Sequence, residues 1–344
     1  MTRPKTVTFG EVVLRLTPPG YERFMQSPTL NAHFGGAEAN VAVSLAHFGL
    51  NSHFVSRVPR NPIGDAALRA LRAEGVDVRS VQRGGERLGI YFTETGASQR
   101  PSLVVYDRAH SGFSELEPER IPWSDVLRGA RWFHTTGIVP ALGKGVAECT
   151  REALVAARAT GARVSFDVNY RRKLWSEGEA RRVLRPLLEH VHLLIANEAH
   201  LTDLLGAAPA TAEETTTQGR LETLRMAAER VASEHGIEQV AITLRESRTA
   251  NTNAWSALLY DSASKTLYRG PRHVVHLVER IGGGDAFAAG LIFGLLDGRS
   301  PEAALHFAIA AGALKLTVVG DFNRVSVEEV ERLVSGDEGS RMLR

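Results

Sequence analysis

The chain has 344 residues, 43% of them hydrophobic, with 32 glycines, which is ample for a buried core and too apolar for a disordered chain. Lys+Arg of 41 against Asp+Glu of 39 leaves a net charge of +2, so there is no broad basic surface and nucleic acid is not expected as a partner. The longest apolar run, 286–296, falls far short of the ~20 residues that cross a bilayer, so no membrane partner is expected either.

The opening MTRPKTVTFGEVVLRL passes directly into strand-like alternation with no apolar signal core, so an unexported, cytoplasmic protein is expected. From there strands are expected at 7–10, 52–58, 131–136, 163–168, 192–196 and 239–244, with helices at 37–48, 64–74, 144–160, 180–190 and 221–234. Strand followed by helix, repeated, implies an α/β fold whose mainly parallel sheet is flanked by helices. Segments 11–34 and 88–110 interrupt the rhythm. In the second, Ile90, Phe92, Leu103 and Val105 alternate as in a half-exposed hairpin, so both segments read as a small β lid inserted into a single domain. A polar, low-complexity loop is expected at 207–219 and a frayed tail at 336–344. The lone Cys149 excludes an intramolecular disulfide and suits a reducing compartment. The 36 arginines against five lysines read as a bias of composition rather than a functional signal.

Neither a P-loop nor a G-x-G-x-x-G fingerprint is present. His273 and His276 fall on opposite faces of an expected strand, which disfavours a shared metal. The segment ERIGGGDAFAAG, 279–290, is more informative: an apolar strand at 274–278 feeds Gly282, Gly283 and Gly284, and an apolar helix follows at once. Unpaired N–H groups of a first helical turn, approached through glycines, can bind an anion with Asp285 at its mouth. The alternative is a plain loop with Asp285 as a helix cap. A second glycine-to-helix junction, Gly35-Gly36, places Asn40 in the first helical turns, where an amide could bond a polyhydroxylated ligand. Alone it reads as a capped turn; the pair of junctions favours a site.

The segments GGAEANVAVSLAHFG, PIGDAALRALRAEGV and GGGDAFAAGLIFGLL resemble the signature regions of the ribokinase-like (PfkB) carbohydrate kinases, and the similarity runs from about residue 7 to 333. Within that family, LGIYFTE, VVYDRAHSGFS, FDVNYRRKLW, ITLRES and VVGDFN are similar to the 2-keto-3-deoxygluconate kinases. The resemblance implies a ribokinase-like fold with ATP and Mg²⁺ as cofactors. It makes Asp285 the general base and puts the phosphoryl group on the N–H groups of Gly282 to Gly284. It assigns Gly35, Gly36, Asn40, Tyr91, Tyr106, Arg108, Arg171 and Asp321 to the sugar. Arg108 and Arg171 are the cations a sugar carboxylate would need. It assigns Asn169, Asn197, Thr243, Arg245, Ser247, Gly312 and Lys315 to the nucleotide, with Ala308 and Ala311 beside the adenine. It also implies a homo-oligomer formed through the lid.

Two departures stand out. Asn197-Glu-Ala-His200 has histidine where the family carries an acid. That leaves the Mg²⁺ ligands open, with Glu198 a candidate. Glu279-Arg-Ile281 replaces the usual Asp-Thr-Thr, which puts a monovalent-cation site in doubt. The leading expectation is phosphorylation of the C6 hydroxyl of 2-keto-3-deoxygluconate. The alternatives are a kinase for a neutral sugar such as fructose or ribose, or a non-catalytic sugar-binding protein on the same fold.

Overall fold

The structure is a computed structural model that describes residues 3–207 and 217–336, so most of the loop expected at 207–219 and nearly all of the tail expected at 336–344 lie outside the described residues. In chain order the elements are β1 (Lys5–Phe9), β2 (Val13–Thr17), β3 (Asn31–Gly35), α1 (Ala37–His47), β4 (Asn51–Val58), α2 (Pro62–Ala73), β5 (Val81–Arg83), β6 (Gly89–Glu94) and β7 (Leu103–Asp107). Next come α3 (Trp123–Val126), β8 (Ala130–Thr136), α4 (Lys144–Ala159), β9 (Arg163–Asp167), α5 (Glu177–Leu188), β10 (Leu193–Asn197), α6 (Thr217–His235) and β11 (Gln239–Ser247). The described chain closes with β12 (Thr252–Asp261), β13 (Thr266–Arg269), β14 (His273–His276), α7 (Gly283–Leu296), α8 (Pro301–Lys315) and α9 (Val327–Val334). This is the mixed α/β architecture the alternating pattern implied, with a mostly parallel sheet, flanking helices and a separate four-stranded sheet. No helix among the described residues is long and apolar enough to cross a membrane.

Two compact units divide the chain. One comprises residues 3–113, 245–256 and 271–336. In it β4 pairs in parallel with both β1 and β5, while β2, β3, β6 and β7 form the small sheet in the order β3-β2-β6-β7. Side chains of β2 alternate, with Val13, Arg15 and Thr17 buried, so an arginine occupies the inward phase of an otherwise apolar strand. Helices α7 and α8 are apolar on nearly every face, as buried helices are. They approach backbone to backbone: a Cβ on Gly290 would stand 2.8 Å from Ala308 Cα, and one on Gly294 2.9 Å from Ala304 Cα. That contact fixes the start of α7 beside the end of α8, where Lys315 lies.

The other unit comprises residues 114–207, 217–244 and 257–270. Strands β8, β9, β10 and β11 run parallel in that order, β13 pairs antiparallel with β12, and Asn197 at the end of β10 lies opposite Thr243 on β11. Cys149 is buried on α4, and burial pushes its thiol up to about 11, so it is neutral at physiological pH.

Two helix starts deviate from the sequence reading for reasons of capping. Helix α2 begins at Pro62, two residues before the expected start. The Asn61 side chain accepts from Ile63 N at 3.1 Å and Gly64 N at 2.9 Å, and proline suits the first helical position. Helix α5 begins at Glu177 because Ser176 and Glu179 form a reciprocal capping box. The strand expected at 274–278 ends at His276. Val278 N and Glu279 N donate instead to Leu316 O at 3.0 and 3.1 Å, which draws this segment onto the end of α8.

Candidate active site

The three glycines before α7 have different environments. Gly282 has φ of 86°, and a Cβ there would stand 2.5 Å from Asp321 O and 2.9 Å from Lys315 Cε, so only glycine fits. A Cβ on Gly283 would press on Leu316 Cδ2 at 2.8 Å. Gly284 is exposed and its Cβ position meets nothing within 4 Å, so this face of the turn is open to a ligand. Ala286 N donates to Gly282 O at 2.8 Å to close the first turn, and the amides ahead of it have no intrahelical acceptor. Asp285 follows them, partly exposed, and its Oδ2 accepts from Asn40 Nδ2 at 2.7 Å. Asn40 N donates in turn to Gly36 O at 2.7 Å, so the two glycine junctions are joined by one side-chain hydrogen bond.

Around that link lies a buried charged cluster. Asp321, 2% exposed, accepts from the Tyr91 hydroxyl through Oδ2. Its carboxylate crosses Gly35 so closely that a Cβ there would be 2.1 Å from Oδ2. Arg15, also 2% exposed, stands 3.0 Å from Asp321 Oδ1 through Nε and 2.7 Å from Glu279 Oε2 through its terminal nitrogen. Burial pushes the Asp321 carboxyl up, and Arg15, the Tyr91 hydroxyl and Lys315 pull against it. The same burial, with Asp321 alongside, raises Tyr91 well above its ordinary value and keeps its hydroxyl protonated as a donor. Glu279 Oε1 accepts from Arg280 N at 2.9 Å and Ile281 N at 3.3 Å, bracing the backbone that enters the glycine turn. Asn40 Oδ1, Asp321 Oδ1 and Glu11 Oε1 are buried acceptors without a hydrogen-bond donor, and hydroxyl groups are the donors a sugar would bring.

Lys315, expected at the nucleotide, is fully buried, and its ammonium donates to Val318 O at 3.1 Å and Gly320 O at 2.9 Å. Burial is the main cause holding it down at about 8. The cost of burying its charge is present below pH 8 and is relieved as pH rises toward the unfolded lysine's value near 10.5. Wild-type stability is therefore expected to rise, relative to Lys315→Met, between pH 8 and about 10 in urea titrations. A difference that stays constant across that interval would contradict the buried-charge assignment.

Arg108 donates from Nε to Glu11 Oε2 at 2.9 Å, with a second bond from the guanidinium to the same oxygen. One buried carboxylate thus fixes the plane of the fork and leaves other N–H groups unspent. Tyr106 is 39% exposed on β7, opposite Tyr91 in the strand register, with ring centroids 6.0 Å apart. On the nucleotide residues of this unit, Arg245 and Ser247 are exposed at the end of β11, and Ser247 Oγ accepts from Arg280 at 3.1 Å. Gly312 lies under Trp255, whose Nε1 would be 2.9 Å from an added Cβ, and Ala308 and Ala311 are buried against Gly290.

In the second unit the expected residues gather at the C-terminal ends of parallel strands, where open α/β sheets bind ligands. Asn169, buried with φ of 38°, follows β9, and Asn197 ends β10 opposite Thr243. Arg171 is exposed beside them and donates to Tyr170 O at 3.3 Å. His200 N donates to Asn197 Oδ1 at 2.8 Å, and the Asn197 amide lies 3.2 Å from His200 Nε2. Burial, aided by the charge of Arg171, lowers the imidazole to about 4, so at neutral pH it is an uncharged acceptor for that amide. The Glu198 carboxylate is gripped by the Arg220 fork. Among the described residues no group of three or more His, Cys, Asp or Glu could hold a metal ion. With Glu198 held by Arg220 and His200 a neutral nitrogen donor, the two are a poor donor set for Mg²⁺, a hard cation that commonly arrives on nucleotide phosphates and keeps much of its water.

Arg15 and Glu11 escape the sequence reading, and Glu279 enters it only as a departure from the family's motif. A signal existed for Arg15, a charge on the phase of V-L-R-L-T shared with Val13, but segment 11–34 had been read as an interruption without a strand register. Glu11 has no signal short of tertiary contact.

A profile of the pfkB family carbohydrate kinases matches residues 3–326. The chain is 34% identical over 335 residues to a 2-dehydro-3-deoxygalactonokinase of Haloferax volcanii, covering 96% of this chain and 97% of that one. It is 30% identical to a 2-dehydro-3-deoxygluconokinase of Bacillus subtilis, covering 94% and 93% of the two chains. The crystal structure of 2-dehydro-3-deoxygluconokinase from Thermotoga maritima superposes with a TM-score of 0.92 at 45% identity, over 97% of this chain and 99% of that one.

Proposed function

The chain belongs to the pfkB family of carbohydrate kinases, and from that membership we propose that it transfers the γ-phosphoryl group of MgATP to the primary C6 hydroxyl of 2-keto-3-deoxygluconate. The observation that carries the reading is the 2.7 Å bond from Asn40 to Asp285 at the open N-terminus of α7. It holds the carboxylate in place at the mouth of the glycine turn, where a proton acceptor is needed. Asp285 takes the proton of the C6 hydroxyl as that oxygen attacks the γ-phosphorus, the bond to the ADP oxygen breaks, and the products are the 6-phosphate and ADP. General-base help contributes ~10²–10⁴ in rate. The amides of the first turn beside Gly284 supply further stabilisation where charge builds on the transferring group. Magnesium is part of the nucleotide substrate in this scheme, and no step is routed through a protein ligand.

Asp321 and Asn40 offer acceptors to the sugar hydroxyls, and Arg108 and Arg171 are assigned to its carboxylate. The names of the relatives support a keto-deoxy sugar acid, though they include both the gluconate and the galactonate forms. The exposed Leu103 and Val105 of β7 support association of two copies through the small sheet.

The charge assignment is tested by Arg171→Ala in an ADP-release assay run on sugar acids and neutral sugars in parallel. We expect kcat/KM for the acid to fall ~10²-fold with little change for a neutral sugar, because a charge-assisted pair is lost only with the acid. A loss of only a few-fold for the acid would remove Arg171 from the carboxylate site.

A further inference from the structure

Arg15 enters from β2, in the small sheet, yet its guanidinium touches two carboxylates on either side of the glycine turn. On one side is Glu279, whose other oxygen holds the amides of Arg280 and Ile281. On the other is Asp321, whose backbone carbonyl lies against Gly282 and whose side chain lies over Gly35. The approach of Arg15 Nε to Asp321 Oδ1 at 3.0 Å is ionic rather than directional, since neither atom has a hydrogen-bond partner of good geometry. Asp321 Oδ1 therefore feels the full charge of Arg15 while retaining its capacity to accept a donor.

We propose that Arg15 is a positioning residue of the kinase reaction, keeping Asp321 ionised and aimed to accept a sugar hydroxyl while locking it to the turn that binds the phosphoryl group. This rests on the assignment of Asp321 to the sugar made above. Buried ion pairs contribute little net stability compared with apolar replacements, so a fully buried arginine on a small sheet is better explained by what it orients. The groups that face Asp321 are Arg15 from β2, Tyr91 from β6, Glu279 before the glycine turn and Lys315 from α8. His33 on β3 adjoins the same charges and is held below its ordinary value chiefly by burial. Arg15 and Lys315 balance Glu279 and Asp321, so loss of Arg15 leaves one buried negative charge in excess. Burial already favours protonation of Asp321, and without Arg15 the carboxyl takes up a proton nearer neutrality.

Two readouts then move in opposite directions. In Arg15→Met, kcat/KM for the sugar should be ~100-fold below wild type at pH 5.5 and recover ~10-fold by pH 7.5, as Asp321 regains its charge, while wild type changes little. This window stays below the pH near 8 at which Lys315 loses its proton. KM for ATP should remain within a few-fold. The deficit in melting temperature relative to wild type should shrink as pH falls, because protonation removes the unpaired buried charge. Arg15→Lys should restore a flat profile. If Arg15→Met does not fold, the double variant Arg15→Met/Asp321→Asn relieves the excess charge. It should fold and lose the pH dependence, with an activity no lower than Asp321→Asn alone.

A merely structural arginine would give parallel pH profiles in both readouts, or additive losses in the double variant, and either result overturns the proposal. The melting experiment needs no substrate. A pH-dependent stability gap with no turnover of any sugar acid would overturn the substrate reading, and with it the positioning role given to Arg15, while keeping the Arg15–Asp321 coupling. Normal turnover with parallel profiles would overturn the role of Arg15 alone.

Discussion

Asp285→Asn is expected to lower kcat by ~10²–10⁴ while leaving the KM of both substrates within a few-fold of wild type. Asparagine keeps an oxygen to accept from Asn40 Nδ2, now at 2.7 Å, so the side chain should hold its place at the start of α7. What it loses is the ability to take a proton from the attacking hydroxyl. Positioning of the substrates and the amides beside Gly284 survive, and these keep the variant above the uncatalysed rate. Steady-state kinetics with both substrates varied will decide the matter. A variant with near-normal kcat would remove Asp285 from the proton transfer, and one with a large rise in sugar KM alone would make it a binding residue.

The second large effect is expected at Gly36, where an alanine should destabilise the protein by ~2–4 kcal/mol. Its φ of 133° is unfavourable for any residue with a Cβ, and that Cβ would stand 2.0 Å from the carbonyl oxygen of Glu11. The obstacle is backbone, so no side-chain rotation relieves it. Either α1 or the strand leading into β2 must move, and α1 carries Asn40. Gly36→Ala should therefore lose activity beyond its loss of stability, because the bond to Asp285 is displaced with the helix. Urea unfolding and activity measured on the folded fraction separate the two. A midpoint like that of wild type would show that the junction tolerates a side chain.

These predictions draw unequally on what was visible in the amino-acid sequence. The parallel strand and helix pattern is local, set by runs of apolar residues and by glycines, so most β-α units were legible from it. Asp285 and Asn40 stood out because two glycine junctions each open a helix, either of which alone has an ordinary structural reading, and the structure joins them by one hydrogen bond. Helix starts at Pro62 and Glu177 were missed by two or three residues because the caps at Asn61 and Ser176 outweighed the apolar periodicity on which the reading relied. Arg15 was lost for a different reason. Its role depends on Glu279 and Asp321, which are hundreds of residues away and are brought to it by tertiary packing. Lys315 shows what a motif leaves open. The resemblance assigns it to the nucleotide, and the structure places it beneath the glycine turn with its ammonium bonded to carbonyls. A lysine in a sequence motif does not reveal which way its chain runs.

The opening charge balance also needs restating in these terms. A net charge of +2 described the surface and concealed the interior, where Arg15, Lys315, Glu279 and Asp321 form a compensated cluster at the proposed site. Overall charge is a poor guide to an anionic substrate when the cations that matter are few and local.

The most direct test of the central claim is a coupled ADP assay with MgATP against 2-keto-3-deoxygluconate, 2-keto-3-deoxygalactonate, fructose and ribose, with the phosphorylated position read by ³¹P–¹H NMR. The account predicts ADP formed in step with a 6-phosphate of a keto-deoxy sugar acid and kcat/KM at least ~100-fold lower for the neutral sugars. Faster turnover of fructose or ribose, a phosphate on any other carbon, or no ADP from any of the four would contradict it.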